Sequence, residues 1–474
     1  MGLRIIYGRA GSGKSEYCYK EIAKDIEKNE KIFLITPEQF SFTAEKKLME
    51  AVKTEAVLQA EVVHLSRLAK RVIKEIGIKD DRMSKCGKAM LISHILTMQK
   101  KDLKYLSKSE ENINLAISSI TELKKHGVTV EMLKEQIDKT ENIYLKTKLQ
   151  DISVIYEQYD EQIKQSYIDE ADELAILAEN IENIKWLKNS VIYIDEFAGF
   201  TYSEYQVIKG LIKYAKQVNI TITVDNLEQT LNPDTDIFYA NKITVKKLQD
   251  IVSQNELKLE KPIKMLEVKR FKTPELKYIE GNLFKTQSTK YEQKVENLSM
   301  FLAKNQYTEI EYIAKEITKL VKEKKKRYND IAIITKNIQS YSNLARVIFE
   351  KYDIPIFIDE KRELSQNIII QYVLSIFEIL QKNYSKESVF QYAKMGFLEI
   401  EQSDIFKLEN YCTKWGIKQN KFKKDFVYEF EKNKQEIEYY NELRKKIIDA
   451  LLRRKLAKAC FTWLDSANVR PDHC

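Results

Sequence analysis

Eight consecutive residues near the amino terminus constrain the fold of this chain more than any other stretch. Residues 8–15 read Gly-Arg-Ala-Gly-Ser-Gly-Lys-Ser and match the pattern G-x-x-x-x-G-K-[ST] at every specified position. Residues 3–7 before them are mostly apolar and predict a short buried strand, and the residues from Ser15 onward predict a helix. A strand, a glycine-rich loop and a helix in this order are typical of a phosphate-binding loop. A glycine-rich turn with an incidental lysine is the alternative.

The chemistry of this loop predicts a nucleoside triphosphate as its ligand. The glycines let the backbone curl so that successive N–H groups point at phosphate oxygens, with the positive end of the following helix dipole behind them. Lys14 is expected to reach the terminal phosphates, and Ser15 is expected to ligate magnesium. The sequence therefore predicts ATP and magnesium as cofactors. The predicted contacts are Gly8, Arg9, Ala10, Gly11, Ser12, Gly13, Lys14 and Ser15.

Two acidic residues follow another apolar strand much further along the chain. Residues 191–194 read Val-Ile-Tyr-Ile and are followed by Asp195 and Glu196. Nucleotide hydrolases use this arrangement at the far side of the magnesium, where Asp195 would hold the metal through water and Glu196 could orient the attacking water. Both are candidate catalytic residues. Such a strand can also simply end in solvent; the loop at residues 8–15 favours the metal role for Asp195, and the role of Glu196 stays open.

The alternation of strands and helices predicts the fold class. Further strands are predicted at residues 31–36, 61–65 and 219–224, with helices between them. Strands that alternate with helices indicate an α/β fold with a parallel sheet, and ligands of such a sheet bind at the carboxyl ends of its strands.

The length of 474 residues is too great for one ordinary core. A first domain is expected over residues 1–290, including a large helical insert at about residues 70–187. The start of a second domain is expected over residues 291–474, helical from about residue 366. In it, Thr308 and Glu311 form a capping-box signature at the start of a helix, and residues 330–335 predict a strand after that helix.

Composition narrows the function classes only slightly. The formal net charge of +8, from 79 basic and 71 acidic residues, would suit a polyanionic partner, but the abundance of Lys, Ile, Asn and Tyr is also the signature of an AT-rich genome. There is no stretch of 18 apolar residues, and the amino terminus does not read as a charged and then apolar leader, so a cytoplasmic protein without a membrane partner is expected. The five cysteines are scattered and odd in number, so neither a disulfide framework nor a metal knuckle is expected.

Several short segments, taken in order, resemble the AddB family. They include the loop at residues 8–15, Thr36-Pro37-Glu38-Gln39-Phe40, His64-Leu65-Ser66-Arg67-Leu68, Tyr193-Ile194-Asp195-Glu196-Phe197 and Thr273-Pro274-Glu275-Leu276. The order and spacing agree along nearly the whole chain to about residue 455, and the tail at residues 461–474 does not resemble the family. AddB is the B subunit of the AddAB helicase-nuclease of low-GC bacteria, a counterpart of the RecBCD machine.

The resemblance implies a P-loop NTPase (RecA-like) fold of superfamily 1 helicase type, in a heterodimer with an A subunit. Such heterodimers unwind and resect double-strand DNA breaks for homologous recombination, and the B subunit also carries hotspot recognition and a carboxyl-terminal nuclease domain that cuts the 5'-ended strand. Family members are much longer than this chain. The nuclease domain, its iron-sulfur cluster and the later helicase motifs are therefore expected outside these 474 residues. The family often has Asp-Gly-Phe where this chain has Asp195-Glu196-Phe197.

The same resemblance places contacts to single-stranded and double-stranded DNA ends after the second and third strands. The candidate DNA-binding residues are Gln39, Phe42, Ser66 and Arg67, and ordinary surface loops are the alternative. No arginine is recognised that would complete the ATP site from its far side. The chain alone is therefore expected to turn over ATP far more slowly than a motor and to have no nuclease activity.

Two other classes of protein stay open. A small-molecule P-loop kinase shares the loop at residues 8–15, but its two nucleotide motifs usually lie closer together than Lys14 and Asp195 do. A scaffold that binds a nucleotide without hydrolysing it would carry the same motifs. Assays of ATP turnover with and without single-stranded DNA separate these classes from a motor.

Overall fold

The structure, a computed structural model, describes residues 2–28, 30–52, 59–78, 82–106, 112–164, 167–169, 171–228, 232–285, 289–360, 364–428 and 434–453. Two compact units divide the chain, Met1–Met300 and Phe301–Cys474. The tail at residues 461–474, which does not resemble the family in sequence, lies outside the described residues, as does Cys460.

A parallel sheet forms the centre of the first unit. Its strands are β1 (Gly2–Gly8), β2 (Lys31–Ile35), β3 (Ala60–Val63), β4 (Ser190–Ile194), β5 (Gln217–Thr223), β6 (Lys258–Leu259) and β7 (Ile263–Lys264). The order across the sheet is β3-β2-β4-β5-β1-β6, β7 also pairs with β1, and each of these pairings is parallel. The predicted α/β fold with a parallel sheet is confirmed. The carboxyl ends of β1, β5 and β4 lie side by side at one edge.

The helices of the first unit are α1 (Lys14–Glu27), α2 (Ser41–Val52), α3 (Leu65–Glu75), α4 (Lys85–Met98), α5 (Asn112–Lys125), α6 (Val130–Lys139), α7 (Ile143–Lys164), α8 (Glu173–Asn180), α9 (Lys185–Lys188), α10 (Tyr202–Tyr214), α11 (Tyr239–Gln254) and α12 (Pro274–Asn282). They cover both faces of the sheet because successive strand residues point to opposite sides. On β2, Phe33 and Ile35 pack in a core with α3 and α8–α11, whereas Ile32 and Leu34 pack in a core with α1 and α2.

Helices α4–α7 have a core of their own, which includes Ile92, Ile120, Leu133 and Ile155. Buried Lys124 joins this helical part to the chain that returns to the sheet, since its ammonium lies 2.7 Å from both Asp160 Oδ1 and Asp172 Oδ2. Within the described part of residues 70–187, β pairing is limited to an isolated bridge between Arg82 and Ile168. The described sequence between β3 and β4 is therefore mainly helical.

The second unit contains the helices α13 (Gln306–Lys324), α14 (Ile338–Lys351), α15 (Ile368–Gln381), α16 (Lys386–Lys394), α17 (Gln402–Lys414) and α18 (Lys434–Arg453). Helices α13 and α14 share one core, and α15–α18 share another. Across the described residues of both units, no helix combines the length and the apolar character needed to cross a bilayer.

The predicted capping box of α13 is wrong by one turn. Asn305, not Thr308, is the N-cap, because the Thr308 N–H donates to Asn305 Oδ1 at 2.9 Å and the Asn305 N–H donates to Thr308 Oγ1 at 3.2 Å. Asparagine satisfies the first orphan N–H groups of a helix as well as threonine does, and it occurs three residues earlier in the chain. The apolar face of the helix therefore begins within its first two turns.

The predicted strand at residues 330–335 is also wrong. Tyr328–Asp330 forms a 3-10 helix, and residues 331–335 pair with no strand in the described chain. Ile334 is 94% exposed there. A strand exists only where a neighbour accepts and donates its ladder hydrogen bonds, so an apolar run by itself does not establish one.

Candidate nucleotide-binding site

The loop at residues 8–15 joins β1 to α1 and curls through two glycines in the left-handed region. Gly11 has φ 78° and Gly13 has φ 89°, values that residues with a Cβ rarely adopt. Gly13 is also the N-cap of α1, and its carbonyl accepts the Tyr17 N–H at 2.9 Å. The loop thus lies at the positive end of a 14-residue helix, where an anion is stabilised.

Lys14 lies across this loop. Its ammonium donates to the carbonyl oxygens of Gly8 at 2.9 Å and Arg9 at 3.0 Å. Burial lowers the pKa of Lys14 below its ordinary value, Asp195 opposes that shift, and Arg270 adds to it. An ammonium held by loop carbonyls and by the field of a carboxylate can exchange those carbonyls for phosphate oxygens at little cost.

One buried oxygen of Asp195 has no hydrogen-bond partner among the residues that the structure describes. The register of β4 against β5 pairs Ile194 with Ile220 and so sets Asp195 beside Thr221, whose hydroxyl donates to Oδ1 of the carboxylate. Asp195 is 2% exposed, and Oδ2 accepts no hydrogen bond from any described residue. A buried carboxylate oxygen in this state is costly, and a divalent cation or its bound water would satisfy it.

Glu196 has a backbone conformation that favours glycine. Its φ is 67°, in the left-handed region, where a Cβ crowds the backbone. The backbone therefore has the shape that suits the glycine of the Asp-Gly-Phe pattern, although this chain has glutamate. Burial raises the pKa of the Glu196 carboxyl, Asp195 raises it further, and Lys47 and Arg270 oppose the shift.

A cavity of about 760 Å³ brings most of these residues together. That volume suits a nucleotide-sized ligand. The predicted catalytic residues Asp195 and Glu196 both line the cavity. Three of the predicted cofactor contacts do not: Gly8, Arg9 and Ser12. The lining residues are Ala10, Gly11, Gly13, Lys14, Ser15, Glu16, Phe40, Lys47, Asp195, Glu196, Phe197, Ala198, Thr221, Thr223, Asn241, Lys269 and Arg270.

Two basic residues that the motifs did not reveal line this cavity. The backbone N–H groups of Lys269 and Arg270 both donate to the Gly11 carbonyl, at 2.8 Å and 3.1 Å. A Cβ on Gly11 would come within 2.5 Å of the Arg270 Cβ, so this close approach requires glycine. The two residues follow β7, which is too short to be recognised in a sequence. The available signal was the cluster of cations at Lys269, Arg270 and Lys272, just before a segment that resembles the family.

The predicted DNA contacts lie at the same edge of the sheet but do not line the cavity. Gln39 lies in a 3-10 helix after β2, and Phe42 lies in the first turn of α2 with 79% of its surface exposed. Ser66 and Arg67 lie in the first turn of α3, directly after β3. Because β2 and β3 are neighbours in the sheet, the structure brings these two pairs of residues to adjoining positions.

The fold and the site together define an α/β protein in which a glycine-rich loop and a buried carboxylate meet at the carboxyl edge of a parallel sheet. The chain belongs to the family described as ADDB, N-terminal, whose model matches residues 5–280. That range contains the loop, Asp195 and Arg270, so the family match and the site coincide. The resemblance to AddB seen in the sequence is confirmed.

Curated relatives extend the similarity beyond the matched range. The B subunit of the ATP-dependent helicase/deoxyribonuclease of Caldanaerobacter subterraneus subsp. tengcongensis is 38% identical over 466 residues, which cover 94% of this chain and 40% of the relative. Proteins of the same name from Clostridium novyi and Clostridium tetani are each 37% identical, covering 96% and 99% of this chain and 40% and 44% of their own lengths. The chain thus spans about two-fifths of the length of these relatives. Their names do not favour the kinase or the scaffold alternative.

Proposed function

We propose that the first unit is a RecA-like P-loop NTPase of superfamily 1 helicase type that binds ATP with magnesium. In this proposal the chain supplies the nucleotide-binding part of the B subunit of an ATP-dependent helicase/deoxyribonuclease. The observation that carries it is Oδ2 of Asp195, a buried carboxylate oxygen that lacks a donor among the described residues, in a residue that lines the cavity of the glycine-rich loop. Buried polar atoms in proteins are usually paired, and this one belongs to a carboxylate that lines the cavity beside Lys14 and Ser15, so it supports a metal-ligand role.

The residues present fit a magnesium triphosphate. Ser15 and Asp195 both line the cavity and would hold the metal, which when bound neutralises phosphate charge. Lys14 would release the carbonyls of Gly8 and Arg9 and donate to the terminal phosphates instead. The backbone N–H groups at the start of α1 would bind the remaining phosphate oxygens.

Arg270 adds a further positive charge to the lining of the cavity, which the motifs did not reveal. Its charge contributes to the lowered pKa of Lys14, and it opposes the rise in the pKa of Glu196 that burial and Asp195 cause. A guanidinium in the same cavity as Lys14 would neutralise part of the charge of a bound triphosphate. Glu196, whose pKa is raised, would orient the attacking water or accept its proton.

The names of the relatives, which describe one subunit of an ATP-dependent helicase/deoxyribonuclease, support a proposal about partners. We propose that the chain acts with an A subunit in the cytoplasm and that it contacts single-stranded and double-stranded DNA ends during the unwinding and resection of double-strand breaks. Gln39, Phe42, Ser66 and Arg67 are the proposed contacts, because an exposed aromatic ring and a cation lie at adjoining strand ends. We assign the 5'-3' exonuclease activity and its iron-sulfur cluster to the intact complex. None of the residues described above is proposed to take part in either.

Steady-state ATP hydrolysis by the purified chain tests this proposal. We expect magnesium-dependent turnover well below that of a motor for the chain alone, faster turnover with single-stranded DNA and the A subunit of a relative, and no degradation of end-labelled DNA by the chain alone. Asp195→Asn should abolish turnover by the chain alone, with and without single-stranded DNA. Turnover by the chain alone that survives Asp195→Asn would contradict the proposal, and transfer of phosphate to a small acceptor would identify a kinase instead.

A further inference from the structure

One segment contacts the candidate phosphate loop at several points. The segment is residues 265–280, here called the strap. At its start the Met265 N–H donates to the Tyr7 carbonyl at 2.8 Å, and a Cβ on Gly8 would come within 2.7 Å of the Met265 carbonyl oxygen. Further along, the N–H groups of Lys269 and Arg270 both donate to the Gly11 carbonyl. The strap therefore contacts the loop backbone where the loop begins and again at Gly11.

The strap also holds a side chain of the loop. Arg9 Nε donates to Glu280 Oε1 at 2.6 Å, and Arg9 Nη2 donates to the backbone carbonyl of the same residue. The two side chains are 24% and 15% exposed, and the guanidinium lies 5.2 Å from the centre of the Phe238 ring. Because two donors of one planar guanidinium bind the side chain and the backbone of Glu280, Arg9 is held in one geometry.

This geometry matters because of where Arg9 lies in the motif. It is the second residue of the loop, between Gly8 and the residues that line the 760 Å³ cavity, and it does not line that cavity itself. A glycine-rich loop that is mobile in the free protein would lose its conformational freedom when phosphate binds, and that loss would weaken affinity. A loop already held by the strap avoids this cost.

We propose that Glu280 is a positioning residue for the nucleotide site, which acts through Arg9 to hold the loop in its phosphate-accepting conformation before the nucleotide binds. The inference rests on the proposed binding of ATP. Glu280 does not line the cavity, and its hydrogen bonds with the loop are to Arg9, so its effect is on the order of the loop and not on the chemistry. It follows that the effect should be equal for any ligand that uses the phosphate positions.

Calorimetric titration with magnesium ATP and with inorganic tripolyphosphate tests this inference. The variants are Glu280→Gln, Arg9→Gln, the double variant, and the exchange Arg9→Glu with Glu280→Arg. The matched control is the ion pair of Arg71 Nη1 and Glu61 Oε2, 2.9 Å apart in the same unit, changed to Arg71→Gln and Glu61→Gln. We expect each single variant to weaken both ligands by about threefold to tenfold, as for loss of one partly buried ion pair. The double variant should be no weaker than either single variant, and the control should match the wild type.

Amide hydrogen exchange without any ligand gives a second readout that does not depend on affinity. Exchange at residues 8–13 should be faster in Glu280→Gln than in the wild type, with the rest of the sheet unchanged, and the exchanged pair should restore protection in part. Wild-type affinity and exchange in Glu280→Gln would overturn the inference while the proposed function stands. Weakening by Arg9→Gln but not by Glu280→Gln would also overturn it, because Arg9 would then act on phosphate directly. A wild-type chain that binds neither ligand would overturn the proposed function and this inference with it.

Discussion

The hydroxyl of Thr221 donates a hydrogen bond to Oδ1 of Asp195, and Oδ2 of the same carboxylate accepts none among the described residues. The two oxygens of one buried group thus differ in role. Oδ1 is fixed by a neighbouring strand, which orients the carboxylate, and Oδ2 is left for a ligand. The affinity of such a carboxylate for a metal depends on the residue that orients it as well as on the carboxylate itself.

Removing the hydroxyl of Thr221 should destabilise the first unit. Thr221→Val leaves both oxygens of Asp195 buried without a donor, which costs about 1–3 kcal/mol, whereas Thr221→Ser keeps the donor. The free energy of unfolding can be measured from the fluorescence of Trp186 in urea, in a background where Trp415 and Trp463 are replaced by Phe. Equal stability of the valine and serine variants would show that the hydroxyl does not support the carboxylate.

The left-handed backbone at Glu196 predicts an unusual order of stability. Replacement by Gly and replacement by Ala both remove the carboxyl, but only Gly adopts φ 67° without crowding by Cβ. Glu196→Gly should therefore be more stable than Glu196→Ala by about 1 kcal/mol, measured by urea unfolding in the same reporter background. In an ordinary right-handed position alanine would be the more stable of the two, and that result would refute the assigned backbone.

Glu275 predicts a dependence on pH at the start of α12. Its own backbone N–H, the Asn297 side chain and the Glu296 N–H lower the pKa of its carboxyl from the ordinary value of 4.5 to about 2. A lowered pKa means that the stabilisation is fully present above pH 4.5 and is lost as the pH falls through about 2. Hydrogen-exchange protection of residues 274–297 should decline over that window in the wild type. In Glu275→Gln this decline should be absent, and an identical decline in both proteins would contradict the assignment.

The proposed DNA contacts predict a dependence on salt. Arg67→Ala should reduce the slope of log affinity against log salt for single-stranded DNA by about 1, since one phosphate contact is lost. Phe42→Ala should weaken binding by about 1–3 kcal/mol without changing the slope, as for loss of one stacked base. Fluorescence anisotropy with a labelled oligonucleotide measures both effects, and Lys74→Ala, an exposed cation at the other end of α3, is the control. Affinity that does not vary with salt would exclude this surface.

Much of the sheet could be predicted from the sequence, and so could the part of the site formed by the glycine-rich loop and Asp195. The strands β1 to β5 are apolar runs bounded by polar or turn residues, and residues at their carboxyl ends meet because parallel strands share one edge. Lys14 and Asp195 could therefore be placed together although about 180 residues separate them. The predicted strands at residues 31–36 and 61–65 extend slightly too far, since β2 ends at Ile35 and β3 at Val63.

The rest could not be predicted because it depends on tertiary pairing. Thr221 lies inside a strand, and only the register of β4 against β5 shows that it faces Asp195. Arg270 follows a strand of two residues, and its role depends on a close approach to Gly11 that no periodicity records. The predicted strand at residues 330–335 is wrong for the same reason, because an apolar pattern does not show whether a partner strand exists.

If the glycine-rich loop binds ATP, its affinity depends on Lys14 and on magnesium. Isothermal titration of the purified chain with ATP, once in magnesium and once in EDTA, measures both dependences. We expect binding that requires magnesium and that is at least tenfold weaker in Lys14→Ala, a loss of about 1.4 kcal/mol or more. Lys24→Ala, which removes an exposed cation of the same helix whose partner is Glu21, should bind as the wild type does. Equal affinity of the wild type and Lys14→Ala, or no binding at all, would refute the binding of ATP by this loop.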